Sequence, residues 1–573
     1  MKNIVLQKLE KIVKELTDKD IKIELNTPQD IGHGDYTSNV AMRLSSMLGR
    51  NPMDIAKEIT EKLSPIDGVE KIEIASPGFI NFTLTQEYLL SQTKDLMSDL
   101  EHPALSEKME GKKIIVEFTD PNPFKQLHIG HVYSNTIGEA ICRLFESQGA
   151  EVKRANYQGD VGLHVGKALW GILKMQGEMP ASDASLEEKA EFLGKAYATG
   201  ATAYEENEQA QQEIKNLNKQ VYEKDPTIMP LYEKGRAWSL EYFEGMYKRL
   251  GMKFDYYYFE SVAGPVGLEF VNSHLDDGVF EKSDGAVIFN GEKYGLHTRV
   301  FINSQGLPTY EAKELGLAPT KFKEYPYDLS IIITGNEINE YFKVLLKALS
   351  LINPQLSEKT RHLSHGMVKL SSGKKMSSRS GQVITASDVL DEAHTLAQEK
   401  IAEAKNGKKD LNDDEAQKVA EEVGIGAIKY AFLKSSIGRD IPFSFEESVS
   451  FEGNAGPYLQ YTFVRTQSIL EKAGKFDFPQ AVQGISLEEL SLLRLINRFE
   501  EVVIQAAEDL APSTVCTYLY ELSKNYNLFY QKFRIADAST PEEKAFRLAL
   551  TQATGSVLKK GLSLLGIAAP AKM

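Results

Sequence analysis

Cysteine, tryptophan and long apolar runs are scarce in this sequence. Of 573 residues, two are cysteine, Cys142 and Cys516, and two are tryptophan. Two thiols cannot build a disulfide framework or a four-cysteine zinc site, so a cytoplasmic chain without protein-bound zinc is expected. No stretch approaches the roughly 18 apolar residues of a membrane span. The densest run, Ser330-Ile331-Ile332-Ile333-Thr334, has the length of a strand, and no membrane partner is expected. Lysines break the opening Met1–Leu9, and Glu10 and Glu15 follow, which speaks against a secretory or transit peptide. Val5, Leu9, Ile12, Val13 and Leu16 recur instead at helical spacing. Excess positive charge is also missing: 66 Lys and Arg against 81 Asp and Glu give a net charge of -15. That removes a whole-chain basic footprint but not nucleic-acid binding, which depends on the local field. Locally, residues 359–379 hold six Lys or Arg and no Asp or Glu.

What remains is ordinary globular composition, 42% hydrophobic and 26% charged. At roughly 150 residues per domain the length predicts about four domains. Residues 1–105 read as a small α+β unit: a helix, then Lys71–Ile74 and Phe79–Leu84 as paired strands around Ser76-Pro77-Gly78. Residues 100–112 are polar and linker-like. Ile114-Ile115-Val116, the loop Pro121-Asn122-Pro123, a helix carrying Tyr133, Ile137, Ile141 and Leu144, and the strand 152–157 form a βαβ unit. Such a unit implies a parallel sheet with ligand at its strand ends. Residues from about 175 to 255, rich in Glu, Gln, Lys and Ala, read as a helical insertion. Strand-like runs at 286–289, 299–302 and 329–334 are expected to continue the sheet. From 451 onward the pattern is almost entirely helical.

Two constellations carry chemistry. The first is Asn122-Pro-Phe-Lys125-Gln-Leu-His128-Ile-Gly130-His131, between a strand and a helix N-terminus. Backbone N–H groups and the helix dipole favour a phosphate there. Gly130 lets a flat base approach the backbone, and both histidines can donate to developing charge. Read alone, the same residues fit a helix cap or a weak metal pair. The second is the basic, hydroxyl-rich stretch Ser371–Gly381, with Lys374, Lys375, Ser377 and Ser378. Lysine is a compact point charge suited to a triphosphate. Read alone, this fits a solvated basic loop.

Together, a strand, a His-Ile-Gly-His helix entry, a helical insertion, renewed strands and a Lys-Met-Ser-Ser segment resemble class I aminoacyl-tRNA synthetases along the whole chain. Val116-Glu117-Phe118-Thr119-Asp120-Pro121-Asn122, Pro308-Thr309-Tyr310-Glu311-Ala312-Lys313-Glu314-Leu315-Gly316, the stretch from Phe451 to Tyr461 and the terminal Met573 resemble the arginyl-tRNA synthetase family. The resemblance implies an α/β fold with a Rossmann-type parallel-sheet catalytic domain at 106–385. It also implies an N-terminal tRNA-binding domain at 1–105, a connecting region at 386–450 and an all-α anticodon-binding domain at 451–573. It implies ATP with Mg²⁺, L-arginine and tRNA(Arg) as partners of a monomer.

The same resemblance assigns roles. Lys125, His128, His131 and Lys375 would stabilise the triphosphate. Gly130, Gly366, Met367 and Val368 would hold adenine, with Lys374, Ser377 and Ser378 completing the ATP site. Ser378 replaces the second lysine of the class pattern, and Lys125 would restore that charge. Glu260 and Glu314 would take the guanidinium beside Tyr310. Glu117, Asp120, Asn122 and Asn336 would surround the α-amino end. Glu314 stands where the family often has Asp. Phe79 and Asn81 would meet the tRNA elbow, and Tyr458, Gln460, Tyr461, Tyr530 and Met573 the anticodon side. Two other classes share part of the pattern. Small nucleotidyltransferases lack the long C-terminal helical half, and non-catalytic paralogues commonly lose the two histidines. Cysteinyl-tRNA synthetase has a similar last domain but carries a zinc set that is missing here.

Overall fold

The computed structural model describes residues 1–28, 31–63, 65–370, 384–404, 412–480, 482 and 484–573. They form two compact units. One comprises Met1–His102 with Thr462–Glu501 and Leu519–Leu558; the other comprises Pro103–Tyr461 with Val502–Tyr518 and Lys559–Met573.

In the first unit the helix Lys2–Thr17 buries Val5, Leu9, Ile12 and Val13, the stripe its spacing predicts. The strands Val69–Ala75 and Phe79–Leu84 pair antiparallel, and a third strand, Tyr36–Ser38, completes the sheet on the other side of Phe79–Leu84. Polar groups tie this α+β part to the C-terminal helices of the same unit. Asp35 pairs with Arg494 at 2.9 Å, Tyr36 Oη donates to Glu501 at 2.6 Å, and Asn497 Nδ2 donates to the Leu89 carbonyl and Thr93 Oγ1.

The second unit is built on a five-stranded sheet in the order Thr360–His365, Leu329–Gly335, Lys113–Glu117, Glu151–Gln158, Tyr256–Phe259. Every pair in it is parallel. Strands covered on both faces are apolar throughout, and Ile114, Ile115, Val116, Ile331, Ile332 and Ile333 are all buried. The helix Ile129–Glu146 crosses from Lys113–Glu117 to Glu151–Gln158, and nearly every residue from Val132 to Phe145 is buried. The helices Leu186–Glu206, Glu208–Tyr222 and Met229–Arg249 fill the expected insertion. They share a core with the helix Leu163–Lys174 through Phe192, Leu193, Leu217, Val221 and Trp238.

One expectation needs correction. The runs 286–289 and 299–302 do not continue the parallel sheet. They pair antiparallel with each other, and 286–289 also with Glu281–Ser283, in a separate three-stranded sheet. Only Leu329–Gly335 rejoins the main sheet. Short connections between the first three runs allow hairpins, whereas a parallel return needs the long crossover that the helix Tyr310–Glu324 supplies.

Strand order reverses at Lys113–Glu117. The chain first builds outward through 151–158 and 256–259, then crosses to the other side through 329–335 and 360–365. In open α/β sheets the crevice at such a reversal, beyond the carboxyl ends of the strands, receives the ligand.

Candidate active site

A cavity of about 770 Å³ lies in that crevice. Each of the five parallel strands ends at its wall: Glu117, Thr119 and Asp120 from the first, Tyr157 and Gly159 from the second, Glu260 from the third, Thr334 and Gly335 from the fourth, and His365 and Gly366 from the fifth. The loop leaving the first strand is bent, with Thr119, Asp120 and Phe124 at φ 76°, 42° and 68°. Left-handed backbone at non-glycine residues persists only where surrounding contacts hold it. Here the Tyr157 N–H donates to Asp120 Oδ1 at 2.8 Å, and the Phe124 N–H to Ser239 Oγ at 2.8 Å.

The two motif histidines do cap the helix. His128 Nδ1 accepts the Gly130 N–H at 3.1 Å, and His131 Nδ1 accepts the His128 N–H at 3.0 Å, closing a capping box. The rings stack with centroids 3.8 Å apart. An imidazole nitrogen that accepts an N–H carries no proton, so the neutral form of each ring bears its hydrogen on Nε2. Burial, followed by the charge of Lys125, holds His128 below the ordinary histidine range. Burial, then His128, Lys125 and His365, holds His131 well below it. Capping therefore occupies the Nδ1 edge of each ring and leaves the Nε2 edge as its donor. A Cβ on Gly130 would sit 3.0 Å from the His128 ring, so here the glycine makes room for that ring.

Lys125 lies outside the cavity wall, with its Nζ 4.4 Å from the Tyr197 ring centroid, yet its charge reaches His128, His131 and the buried His164. Gly366, Met367 and Val368 line the cavity. Their backbone is fixed from the far side: the Met367 N–H donates to Asp440 Oδ1, the Ile441 N–H donates to the Met367 carbonyl, and Val368–Leu370 pairs with Ile441–Phe443. Lys374, Lys375, Ser377 and Ser378 lie outside the described residues.

The acidic end differs from the simplest expectation. Glu117, Asp120, Asn122, Glu260, Tyr310 and Glu314 all line the cavity, whereas Asn336 does not, although Gly335, Glu337 and Ile338 do. Glu260 accepts from Lys313 Nζ at 2.6 Å and Glu117 from Lys321 Nζ at 2.5 Å, both pairs buried. Two of the four carboxylates are thus matched inside the protein. Burial, then the charge of Glu117, lifts the carboxyls of Asp120 and Glu314 well above their usual range. Gly159 is needed for this packing, since a Cβ there would lie 2.2 Å from Asn122 Oδ1 and 3.4 Å from Glu260 Oε1.

Sequence reasoning missed several wall residues. Tyr157, whose hydroxyl is buried with no hydrogen-bond partner among the described residues, needed only its place at a strand end to be found. Arg299, Tyr341, His365 and Glu337 also line the cavity and carried no local signal. Further down, His164 Nε2 is 2.7 Å from the Gly159 carbonyl, and His362 Nε2 is 2.7 Å from Thr334 Oγ1. Burial holds them at about 3 and about 4. In an NMR titration both rings should keep their neutral signals to below about pH 5; a midpoint near the ordinary histidine value for either would remove the burial argument.

The RNA-side candidates scatter. Asn81 is only 6% exposed in the middle strand of its sheet, and Phe79 is half-buried at the start of that strand. Gln460 is fully buried, with Nε2 donating to the Glu422 and Ala568 carbonyls. The Gln460 amide thus faces protein, whereas Asn81 Oδ1 has no hydrogen-bond partner among the described residues. Tyr458 is half-buried, and Met573 packs against the cluster around Ala397 and Val423. Tyr461 and Tyr530 are exposed, the latter with the Arg465 guanidinium 4.9 Å from its ring centroid.

Comparison with known proteins agrees along the length of the chain. Residues 94–445 match the family described as tRNA synthetases class I (R), catalytic domain. Residues 1–84 match the arginyl tRNA synthetase N terminal domain, and residues 459–573 the DALR anticodon binding domain. The chain is 31% identical to an arginine–tRNA ligase of Bacteroides thetaiotaomicron, with 98% of this chain and 96% of that one covered. It is 32% identical to an arginine–tRNA ligase of Fusobacterium nucleatum, with 96% and 95% covered. Its fold is similar to that of Thermus thermophilus arginyl-tRNA synthetase, at a TM-score of 0.82, 24% identity and full coverage of both chains.

Proposed function

This chain belongs to the class I arginyl-tRNA synthetase family, and from that premise we propose how its own residues join arginine to tRNA(Arg). The arginine carboxylate attacks the α-phosphate of ATP, the bond to the β-phosphate breaks, and pyrophosphate leaves arginyl-adenylate behind. The 3′-terminal ribose of tRNA(Arg) then takes the arginyl group and AMP departs. No protein nucleophile is required; positioning and charge stabilisation carry both steps.

ATP comes as its Mg²⁺ complex, with adenine on Gly130 and the backbone of 366–368. His128 and His131, neutral and carrying hydrogen on Nε2, donate to the phosphates as charge migrates. Lys125 adds a cation from the opposite side, and Lys374, Lys375, Ser377 and Ser378 act on the triphosphate as their motif implies. Glu314 meets the guanidinium beside Tyr310, with Glu260 in the same wall. Asp120, Asn122 and Glu117 gather at the α-amino end, and the Tyr157 hydroxyl is available to either.

One observation supports this reading best: histidines fixed as donors and an acidic wall share one cavity at the reversal point of the parallel sheet. Residues 459–573 take the anticodon, where exposed Tyr461 and Tyr530 suit stacking of unpaired bases, and residues 1–105 meet another part of the tRNA. The protein acts as a cytoplasmic monomer. Arginine-dependent ATP–pyrophosphate exchange, with and without tRNA(Arg), tests the proposal. Exchange driven equally by lysine, or tRNA binding with no exchange under either condition, would sink it.

A further inference from the structure

Two buried lysines have no part in the reaction as described. Lys313 and Lys321 flank Glu314 on the helix Tyr310–Glu324 and pair with Glu260 and Glu117, with all four side chains at most 5% exposed. A buried carboxylate without its counter-charge is costly, so each pair behaves as a neutral unit built into the wall. Six carboxylates line the cavity. Glu311 is paired with Arg299 at 3.5 Å, and Glu337 acts on His128 and His365. That leaves Glu117, Asp120, Glu260 and Glu314 for a substrate that brings two cations, an α-ammonium and a guanidinium. After the internal pairs are discounted, Asp120 and Glu314 remain, one carboxylate for each substrate cation.

The guanidinium end makes the arrangement selective. Lys313 Nζ is boxed by the rings of Tyr310 and Tyr222, at 4.9 and 5.9 Å from their centroids, and holds Glu260 Oε2. Glu260 Oε1 lies toward Gly159 and Asn122. A bare carboxylate here would attract any long-stemmed cation, including an ammonium. A neutralised one offers a directional acceptor with little net pull, which a planar fork can use and a point charge gains little from. We propose that Lys313 is a specificity-determining positioning residue: it cancels the charge of Glu260, orients its free oxygen, and leaves Glu314 as the carboxylate that selects the guanidinium. The proposal rests on the arginine pocket described above.

A double-mutant cycle in the full-length protein tests it, read by pyrophosphate exchange with arginine and with lysine. In Glu260→Gln the Lys313 ammonium loses its counter-charge beside the guanidinium, and KM for arginine rises on the order of thirtyfold while kcat changes little. Adding Lys313→Met removes that repulsion and recovers roughly fivefold or more. Lys313→Met alone lowers the preference for arginine over lysine roughly tenfold by exposing Glu260, and Lys313→Arg, which keeps the pair, stays near the parent. If Lys313→Met alone does not fold, the double variant, which buries no net charge, still closes the comparison with Glu260→Gln. Losses that simply multiply in the double variant, or an unchanged preference in Lys313→Met, overturn the role of Lys313. A parent protein whose exchange does not depend on arginine overturns the pocket reading itself.

Discussion

His131→Asn lowers arginine-dependent pyrophosphate exchange by about 10²- to 10³-fold, the usual effect of removing one donor aimed at transition-state charge, while the melting temperature stays near that of the parent. The two edges of the His131 ring separate these effects. Nδ1 accepts the His128 N–H in the capping box, and an asparagine oxygen at the same helical position can do likewise. His131 lines the cavity, and with Nδ1 taken by the cap Nε2 is the ring atom left to donate; asparagine has nothing that reaches so far. His131→Gln differs. Its amide N–H is long enough to reach toward the Nε2 position, so more of the rate survives, and glutamine at this third helical position can also accept the His128 N–H, so stability changes by at most about 1 kcal/mol. Exchange kinetics beside thermal unfolding of both variants checks this. Equal activity in the two, or a loss of rate that merely follows stability, would mean that His131 is a cap and no donor.

The protonation argument adds a pH signature. Burial holds His128 below the ordinary histidine range and His131 well below it, so both free rings are neutral once pH exceeds that range. Donation from a neutral imidazole needs no further proton, so neither residue lowers the exchange rate as pH rises through the ordinary histidine value. A charged histidine pair would instead lose activity as pH rose through that range.

Much of this was legible in the sequence, and the reason is local. The apolar stretches around Ile115 and Ile332, and the helix entry at His128, announce a parallel sheet with a ligand at its strand ends because period and punctuation are short-range signals. Partner choice is not short-range. The runs at 286–289 and 299–302 look like any other strand, and nothing in a period of two says whether a strand pairs with its neighbour or with one far along the chain. The lysine pairs were hidden for the same reason. Nothing next to Lys313 or Lys321 in sequence signals a buried charge, and their carboxylates are 53 and 204 residues away. Gln460 departs in the opposite sense: the resemblance implied an RNA contact, but tertiary packing turns its amide inward onto the Glu422 and Ala568 carbonyls. Asp35–Arg494 and Tyr36–Glu501, which bind the first and last parts of the chain into one unit, were likewise beyond any local reading.

The unmatched carboxylate at the guanidinium end carries the second large effect. Glu117 and Glu260 have lysine partners, whereas Glu314 has neither an ion pair nor a hydrogen bond among the described residues. Glu314→Gln leaves a bound guanidinium without its counter-charge. Truncating one member of a desolvated charge pair costs about 2–5 kcal/mol, so kcat/KM for arginine should fall by roughly 10²- to 10³-fold, most of it in KM. Binding should also respond to pH in a direction set by Glu314. Burial and the nearby Glu117 charge raise its carboxyl, so the empty pocket holds a proton there to a higher pH than a free carboxylate would. Arginine needs the ionised form and expels that proton on binding, so affinity weakens as pH is lowered toward 5 and strengthens as pH rises. Glutamine cannot titrate, so the variant binds weakly with a flatter pH dependence. Arginine binding by calorimetry across pH 5–8, in two buffers of different ionisation enthalpy, reads both the affinity and the proton release. A parent protein that releases no proton and shows no pH dependence would mean that Glu314 is already ionised in the empty pocket. A Glu314→Gln variant with unchanged KM would place the guanidinium elsewhere in the cavity.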